Sequence, residues 1–322
     1  MRAAPAFTEY LVIGLDPELR KVWYALIVAL TYTSKMFEVH RRAVALSLSG
    51  AGHLLPYHAG VCQELLNFAK TQGQRVPLEI AALSGSSSGA IVAAVAAFAP
   101  SQLESLALDF IQQRGRGLSL LQETLENHQT SQQSDQFTNK QTPLSQGQPA
   151  LQIYTTQCRS GEPYAFSFSS YSPLLLDAIR ASCHVPISFH PVDMISWSPL
   201  SLPLTFADSE GVLIHEEAYV DGAIASPAPP TPHQLTRVVV SPISGGVGTL
   251  DSDQWRISPH DTSWRIGSVT LKGSFPVRLS TQNLRALRTS VGATSSAELE
   301  RWYQLGLDDG RRFCEDWEKI GA

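Results

Sequence analysis

At 322 residues the chain is one large domain or two small ones, and 43% of its residues are hydrophobic, enough for a buried core. A net charge of -5 without any lysine- or arginine-rich block gives nucleic-acid binding no electrostatic support. The four cysteines (Cys62, Cys158, Cys183, Cys314) lie far apart with no C-x-x-C pair. That spacing excludes zinc-ribbon and thioredoxin-like chemistry and fits buried thiols in a reducing compartment.

The N-terminal segment, residues 1–40, shows no signal-peptide pattern, because Glu9, Asp16 and Glu18 break its first apolar stretch. The run from Val22 to Tyr32 is too short for a bilayer, which needs ~20 residues. Arg20-Lys21 and Lys35 flank it, and it carries Trp23, Tyr24 and Tyr32. It fits either a core-packing helix or a helix lying in a membrane interface. The expected location is cytoplasmic.

The main domain is expected over residues 41–245. Ala43 to Leu48 reads as a buried strand running into Ser49-Gly50-Ala51-Gly52, and a helix follows from about Pro56 to Ala69. A second strand around Leu78–Leu83 leads into Gly85-Ser86-Ser87-Ser88-Gly89 and a small-residue helix, Ser88–Phe98. Ser101 with Glu104 predicts a capping box for the next helix. A polar, glutamine-rich insert occupies about 127–148. Leu151–Thr156 and Tyr164–Phe168 predict a hairpin, and Pro173 begins a helix reaching Cys183. Residues 196–216, rich in Pro and Ser, read as a second insert. Glu217–Val220 and Arg237–Val240 are further strands, and residues 246–322 read as a helical extension. Alternating strands and helices predict a three-layer α/β/α fold with a mostly parallel central sheet.

A G-x-S-x-G between strand and helix is the pattern of a nucleophile elbow, with Ser87 projecting from the turn and Gly85 and Gly89 as its small flanking residues. At a helix N-terminus, unpaired N–H groups favour the negative charge that acyl transfer develops. Gly50-Ala51-Gly52 fits a plain turn or an oxyanion loop. It does not fit a dinucleotide fingerprint, which wants a small residue at Leu55 and an acid at Ser84. For a base, Asp221 stands at a strand end before Gly222-Ala223, either alone or with His233 or His260.

Several blocks in the same order resemble a patatin-like phospholipase domain, most closely the animal branch that contains adipose triglyceride lipase. They are Ser49-Gly50-Ala51-Gly52-His53-Leu54-Leu55-Pro56-Tyr57-His58-Ala59-Gly60-Val61, the Gly85–Gly89 elbow, Arg180-Ala181-Ser182-Cys183-His184-Val185-Pro186, Tyr219-Val220-Asp221-Gly222-Ala223, Val240–Gly245 and Gly306–Phe313. The resemblance implies a Ser-Asp dyad without histidine: Ser87 as nucleophile, Asp221 as base, and backbone N–H groups of Gly50, Ala51, Gly52 and Ser88 as the oxyanion hole. It implies no metal and no cofactor. It also implies a glycerolipid substrate, triacylglycerol before phospholipid, met at a membrane or lipid-droplet surface; a protein activator is left open. Leu55 departs from the pattern, standing where the loop usually ends in glycine. A side chain there is expected to narrow the hole, which keeps open a regulatory lipid-surface protein with impaired catalysis.

Overall fold

The computed structural model describes residues 43–71, 76–113, 121–124, 149–189, 204–245, 254–260, 265–271, 275–292 and 294–320. The expected interfacial helix at Val22–Tyr32 and the polar insert at 127–148 lie outside the described residues.

β1 (Ala43–Leu48) is buried along nearly its whole length, as a central strand of a parallel sheet must be. Gly52–Leu54 form a single 3₁₀ turn, and α1 (Leu55–Lys70) follows with Pro56 in its first turn. β2 (Glu79–Ser86) leads directly into α2 (Ser88–Phe98), every residue of which is buried. Four of its residues between Val92 and Phe98 are alanine, so the helix can be apolar all round and still pack closely. A 3₁₀ turn at Pro100–Gln102 precedes α3 (Leu103–Gln112), and no side chain caps α3. The expected Ser101 cap is absent because the turn that Pro100 starts carries Ser101 inside itself.

β3 (Ala150–Gln157) and β4 (Pro163–Phe168) form the expected antiparallel pair. α4 (Pro173–Ser182) comes next, then β5 (Val212–Ile214), β6 (Glu217–Val220), the one-turn α5 (Gly222–Ala225) and β7 (Thr236–Val240). β5 falls within the stretch expected as an insert; its pairing with β6 gives a short apolar run a place in the sheet. β8 (Gln254–Ile257) also joins the main sheet, and β9 (Arg265–Leu271) with β10 (Phe275–Ser280) makes a separate ribbon. The region expected as purely helical therefore contains strands before α6 (Thr281–Val291) and α7 (Ser296–Ile320).

The sheet order is β5-β6-β3-β2-β1-β7-β8, with β4 also on β3, and every pairing from β3 through β2, β1 and β7 to β8 is parallel. The chain leaves β1 towards β2, while β7 lies on the other side of β1. That reversal opens a crevice outside the carboxyl end of β1, where Gly50–Gly52 sit. α7 packs on α1 at close range: a Cβ on Gly60 would lie 2.6 Å from the Tyr303 carbonyl oxygen. Tyr57 ties the two helices by donating a hydrogen bond of 2.9 Å to buried Asp309.

Candidate active site

Ser87 is the N-cap of α2 and holds φ 52°, ψ -131°, a conformation that L-residues avoid. Its N–H donates to the Ser182 hydroxyl at 2.8 Å, and that hydroxyl donates to the Tyr154 carbonyl at 2.6 Å. One buried side chain of α4 thus links the strained residue to β3. The flanking glycines answer a demand for space. A Cβ on Gly89 would stand 2.5 Å from the Leu48 carbonyl oxygen and 2.6 Å from that of Ser49, and one on Gly85 would strike the Gly89 carbonyl. Neither glycine has a positive φ; the strain rests on the serine.

Asp221 reaches the same place by a longer route. Ser86 at the end of β2 stands beside Tyr154 of β3, and β4 occupies the opposite edge of β3 as far as Thr156. β6 pairs with Thr156 and Gln157, so it takes the edge that β2 vacates. It runs antiparallel, head-on towards the end of β2. The residue after Val220 therefore arrives level with the residue after Ser86. The Asp221 backbone is held on both sides: its N–H donates to the His184 carbonyl at 2.8 Å, and its carbonyl accepts from the Thr156 hydroxyl at 2.8 Å. Gly222 has no room for a side chain, since a Cβ would collide with the Tyr154 carbonyl.

The carboxyl group of Asp221 is buried, and burial lifts its pKa to about 6 against the opposing hydrogen bonds from the Ser87 side chain and the Ala223 N–H. The Ala223 bond measures 2.8 Å. No histidine is among the groups that shift it. His233 and His260 are both exposed, and His260 lines a separate cavity of about 640 Å³ between α6 and α7. His58 is buried near the glycine loop, but its Nε2 is engaged with Val240 O at 3.3 Å and Ser49 Oγ at 3.4 Å. Burial also pulls its pKa down to about 4, so it is neutral at physiological pH.

Of the four N–H groups expected to form an oxyanion hole, those of Gly50 and Ala51 are already hydrogen-bonded. The Gly50 N–H donates to the Pro227 carbonyl at 3.1 Å, because the segment after α5 runs alongside the loop. The Ala51 N–H donates to the Ser88 hydroxyl at 3.2 Å. The N–H groups of Gly52 and Ser88 make no hydrogen bond among the described residues, and both belong to the first turns that follow β1 and β2. Leu55, expected to narrow the hole, is fully buried within the hydrophobic core. The helix begins at Leu55 itself, and the turn has already been made at Gly52, whose φ is +53°.

Ser182 and the Ser88 hydroxyl carry roles that sequence reasoning did not assign. Ser182 was visible only as part of the Ala-Ser-Cys block; a buried serine at a helix C-terminus close to a strand end is the signal that points to it. Among the described residues no three His, Cys, Asp or Glu side chains converge as metal ligands would. No helix among them is long and apolar enough to cross a membrane.

Residues 46–148 match the family model "Patatin-like phospholipase". The chain is 24% identical over 280 residues to patatin-like phospholipase domain-containing protein 4 of Homo sapiens, an alignment covering 85% of this chain and 98% of that protein. Among solved structures it is similar to VipD from Legionella pneumophila at 11% identity and a TM-score of 0.37, over 85% of this chain and 67% of that one. The match to the patatin-like phospholipase model thus falls on the glycine loop, the elbow and the helix behind it.

Proposed function

We propose that the protein is a lipid acyl hydrolase working through a Ser87–Asp221 dyad. The observation that carries this is the pairing of a serine strained to φ 52° with a buried carboxylate lifted to about 6. A carboxylate at its ordinary pKa near ~4 is a poor base for a serine hydroxyl; raising it improves the match. Asp221 takes the proton as Ser87 Oγ bonds to the ester carbonyl carbon. The charge that develops on the carbonyl oxygen is met by the N–H groups of Gly52 and Ser88 at the start of α2. Collapse expels the alcohol, which leaves with the proton from Asp221. Water then gives its proton to Asp221 and its oxygen to the acyl carbon, which frees the fatty acid and restores Ser87.

The favoured substrate is a long-chain acylglycerol, triacylglycerol first, on the strength of the blocks shared with the adipose triglyceride lipase branch. A phospholipase A or lysophospholipase activity is the second reading, supported by the phospholipase in the relative's name. Either substrate places the protein peripherally on a lipid surface. The test is fluorophosphonate labelling with hydrolysis of emulsified triacylglycerol and of phospholipid vesicles in parallel. Wild type is expected to label and hydrolyse one or both, and folded Ser87→Ala to do neither. Undiminished hydrolysis by Ser87→Ala overturns the nucleophile, and the ratio of the two activities decides the substrate.

A further inference from the structure

α6 buries two polar residues and leaves three large apolar ones exposed. Its inward positions include polar residues: Asn283 and Thr289 are buried with Ala286. Asn283 has an internal reason to be there, because its side chain accepts from the Ser244 N–H at 2.9 Å and donates to the carbonyls of Ser244 and Arg278 at 2.7 and 2.8 Å. The exposed positions of α6 mix Thr281, Arg285 and Arg288 with three apolar residues, Leu284, Leu287 and Val291, which are 61%, 48% and 69% exposed. Their spacing puts them on one helix face. Arg288 is exposed four residues after Leu284, and no ion pair engages it among the described residues.

The place of this face matters as much as its composition. The C-terminal turn of α6 leans on the glycine loop: the Ser290 carbonyl is the nearest atom to where a Cβ on Gly52 would be. On the Asp221 side of the site, Val185 and Ile187 are also exposed, just beyond the His184 carbonyl that holds the Asp221 N–H. Exposed apolar side chains thus lie on the helix that leans on the glycine loop and on the segment that follows His184.

We propose that the Leu284–Leu287–Val291 face docks the protein on a phospholipid surface, its aliphatic side chains below the headgroups and Arg288 against their phosphates. Apolar side chains with a cation beside them fit the boundary between acyl chains and anionic headgroups. They fit a purely aqueous surface poorly. The proposal rests on the acyl-hydrolase reading only for its purpose, which is to bring the Ser87 crevice to an ester in a lipid layer.

The experiment uses the full chain and vesicles of phosphatidylcholine with and without phosphatidylserine. Leu284→Ser/Leu287→Ser/Val291→Ser is expected to weaken co-sedimentation at least about tenfold. It should lose hydrolysis of vesicle or emulsion substrate in parallel, and keep hydrolysis of a dispersed short-chain ester. Leu108→Ser, at a leucine exposed on α3, is the control that should change nothing. Arg288→Glu is expected to weaken binding chiefly to the phosphatidylserine vesicles. Unchanged co-sedimentation of the triple variant overturns the proposal. So does a wild-type dimer that the triple variant converts to monomer, since the face would then belong to a second copy. If the triple variant also loses short-chain hydrolysis, α6 has been disturbed at Gly52 and Arg288→Glu decides: unchanged binding to phosphatidylserine vesicles is then the overturning result. Vesicle binding by wild type and Ser87→Ala without any hydrolysis by wild type would sink the acyl-hydrolase reading and leave the docking face standing.

Discussion

The two members of the candidate dyad reach the same crevice by unlike means. Ser87 is placed by its own neighbours: the end of β2, the start of α2 and two glycines that clear the space around the turn. Asp221 is placed by partners distant in sequence: β6 slots in beyond the end of β2 along β3, and Thr156 and His184 hold its backbone. A local turn forms wherever its residues allow it. A residue placed by sheet pairing depends on every strand that sets the register. The serine side should therefore fail by strain and the aspartate side by displacement or by change of charge.

The largest effect should come from charge. Asp221→Asn keeps the shape and the hydrogen bond from Ala223 but removes the base, so hydrolysis should fall by about 10²–10⁴-fold. In wild type, kcat/KM should rise with pH through about 6, because the base must be ionised and burial holds Asp221 there. His58, held down near 4, supplies no second limb in that range. A profile that rises near the ordinary carboxylate range, or a histidine variant such as His233→Ala that loses as much as Asp221→Asn, would count against the dyad.

Ser182 is where the two routes meet, and its removal should have an intermediate effect. It grips the Ser87 N–H and the Tyr154 carbonyl, and it stands 3.1 Å from where a Cβ on Gly222 would be. It acts through Ser87, as a positioning residue. Ser182→Ala removes the partner of the half-buried Ser87 N–H and a donor to the Tyr154 carbonyl, at about 1–3 kcal/mol of stability. It also lets Ser87 relax from φ 52°. The expected result is a kcat lower by about 10–100-fold with KM little changed, a slower reaction with fluorophosphonate, and recovery in Ser182→Thr. A loss of stability with unaltered kcat would reduce Ser182 to a purely structural role.

The same contrast governs what could be read before the structure. The elbow and the order β1, α1, β2, α2 were legible, because each strand, turn and helix is signalled by adjacent residues. Asp221 could be singled out as a strand-end acid, but its approach to Ser87 depends on β6 occupying an edge of β3, which no local pattern encodes. The hydrogen bonds of the glycine loop were not legible. Nothing near Gly50 announces that Pro227 will take its N–H, and nothing near Ala51 announces the Ser88 hydroxyl. Leu55 misled for the opposite reason: judged within the loop it looks obstructive, yet α1 has already begun there and turns its side chain into the core.

The smallest effect concerns stability, and its sign separates Asp221 from an ordinary surface acid. Its pKa is lifted from 3.8 to about 6 in the folded protein, so the folded state holds a proton that the unfolded chain gives up. Its contribution is fully present below about 3.8 and is lost as pH rises through about 6. Above that, the buried charge costs the fold on the order of 1–3 kcal/mol. Asp221→Asn should therefore stabilise the protein at pH 8 by about that amount and by little at pH 4. Asp309 shares the sign, lifted to about 6 by burial against its bonds from Tyr57 and Arg312, so it adds a second descending limb to the wild-type curve. Denaturant titration at both pH values for Asp221→Asn and Asp309→Asn separates the two: only Asp221→Asn should trade activity for stability. An Asp221→Asn protein that is less stable at pH 8 than wild type would mean that the charge holds the turn at Gly222 in place, and is not a strain the site carries for its chemistry.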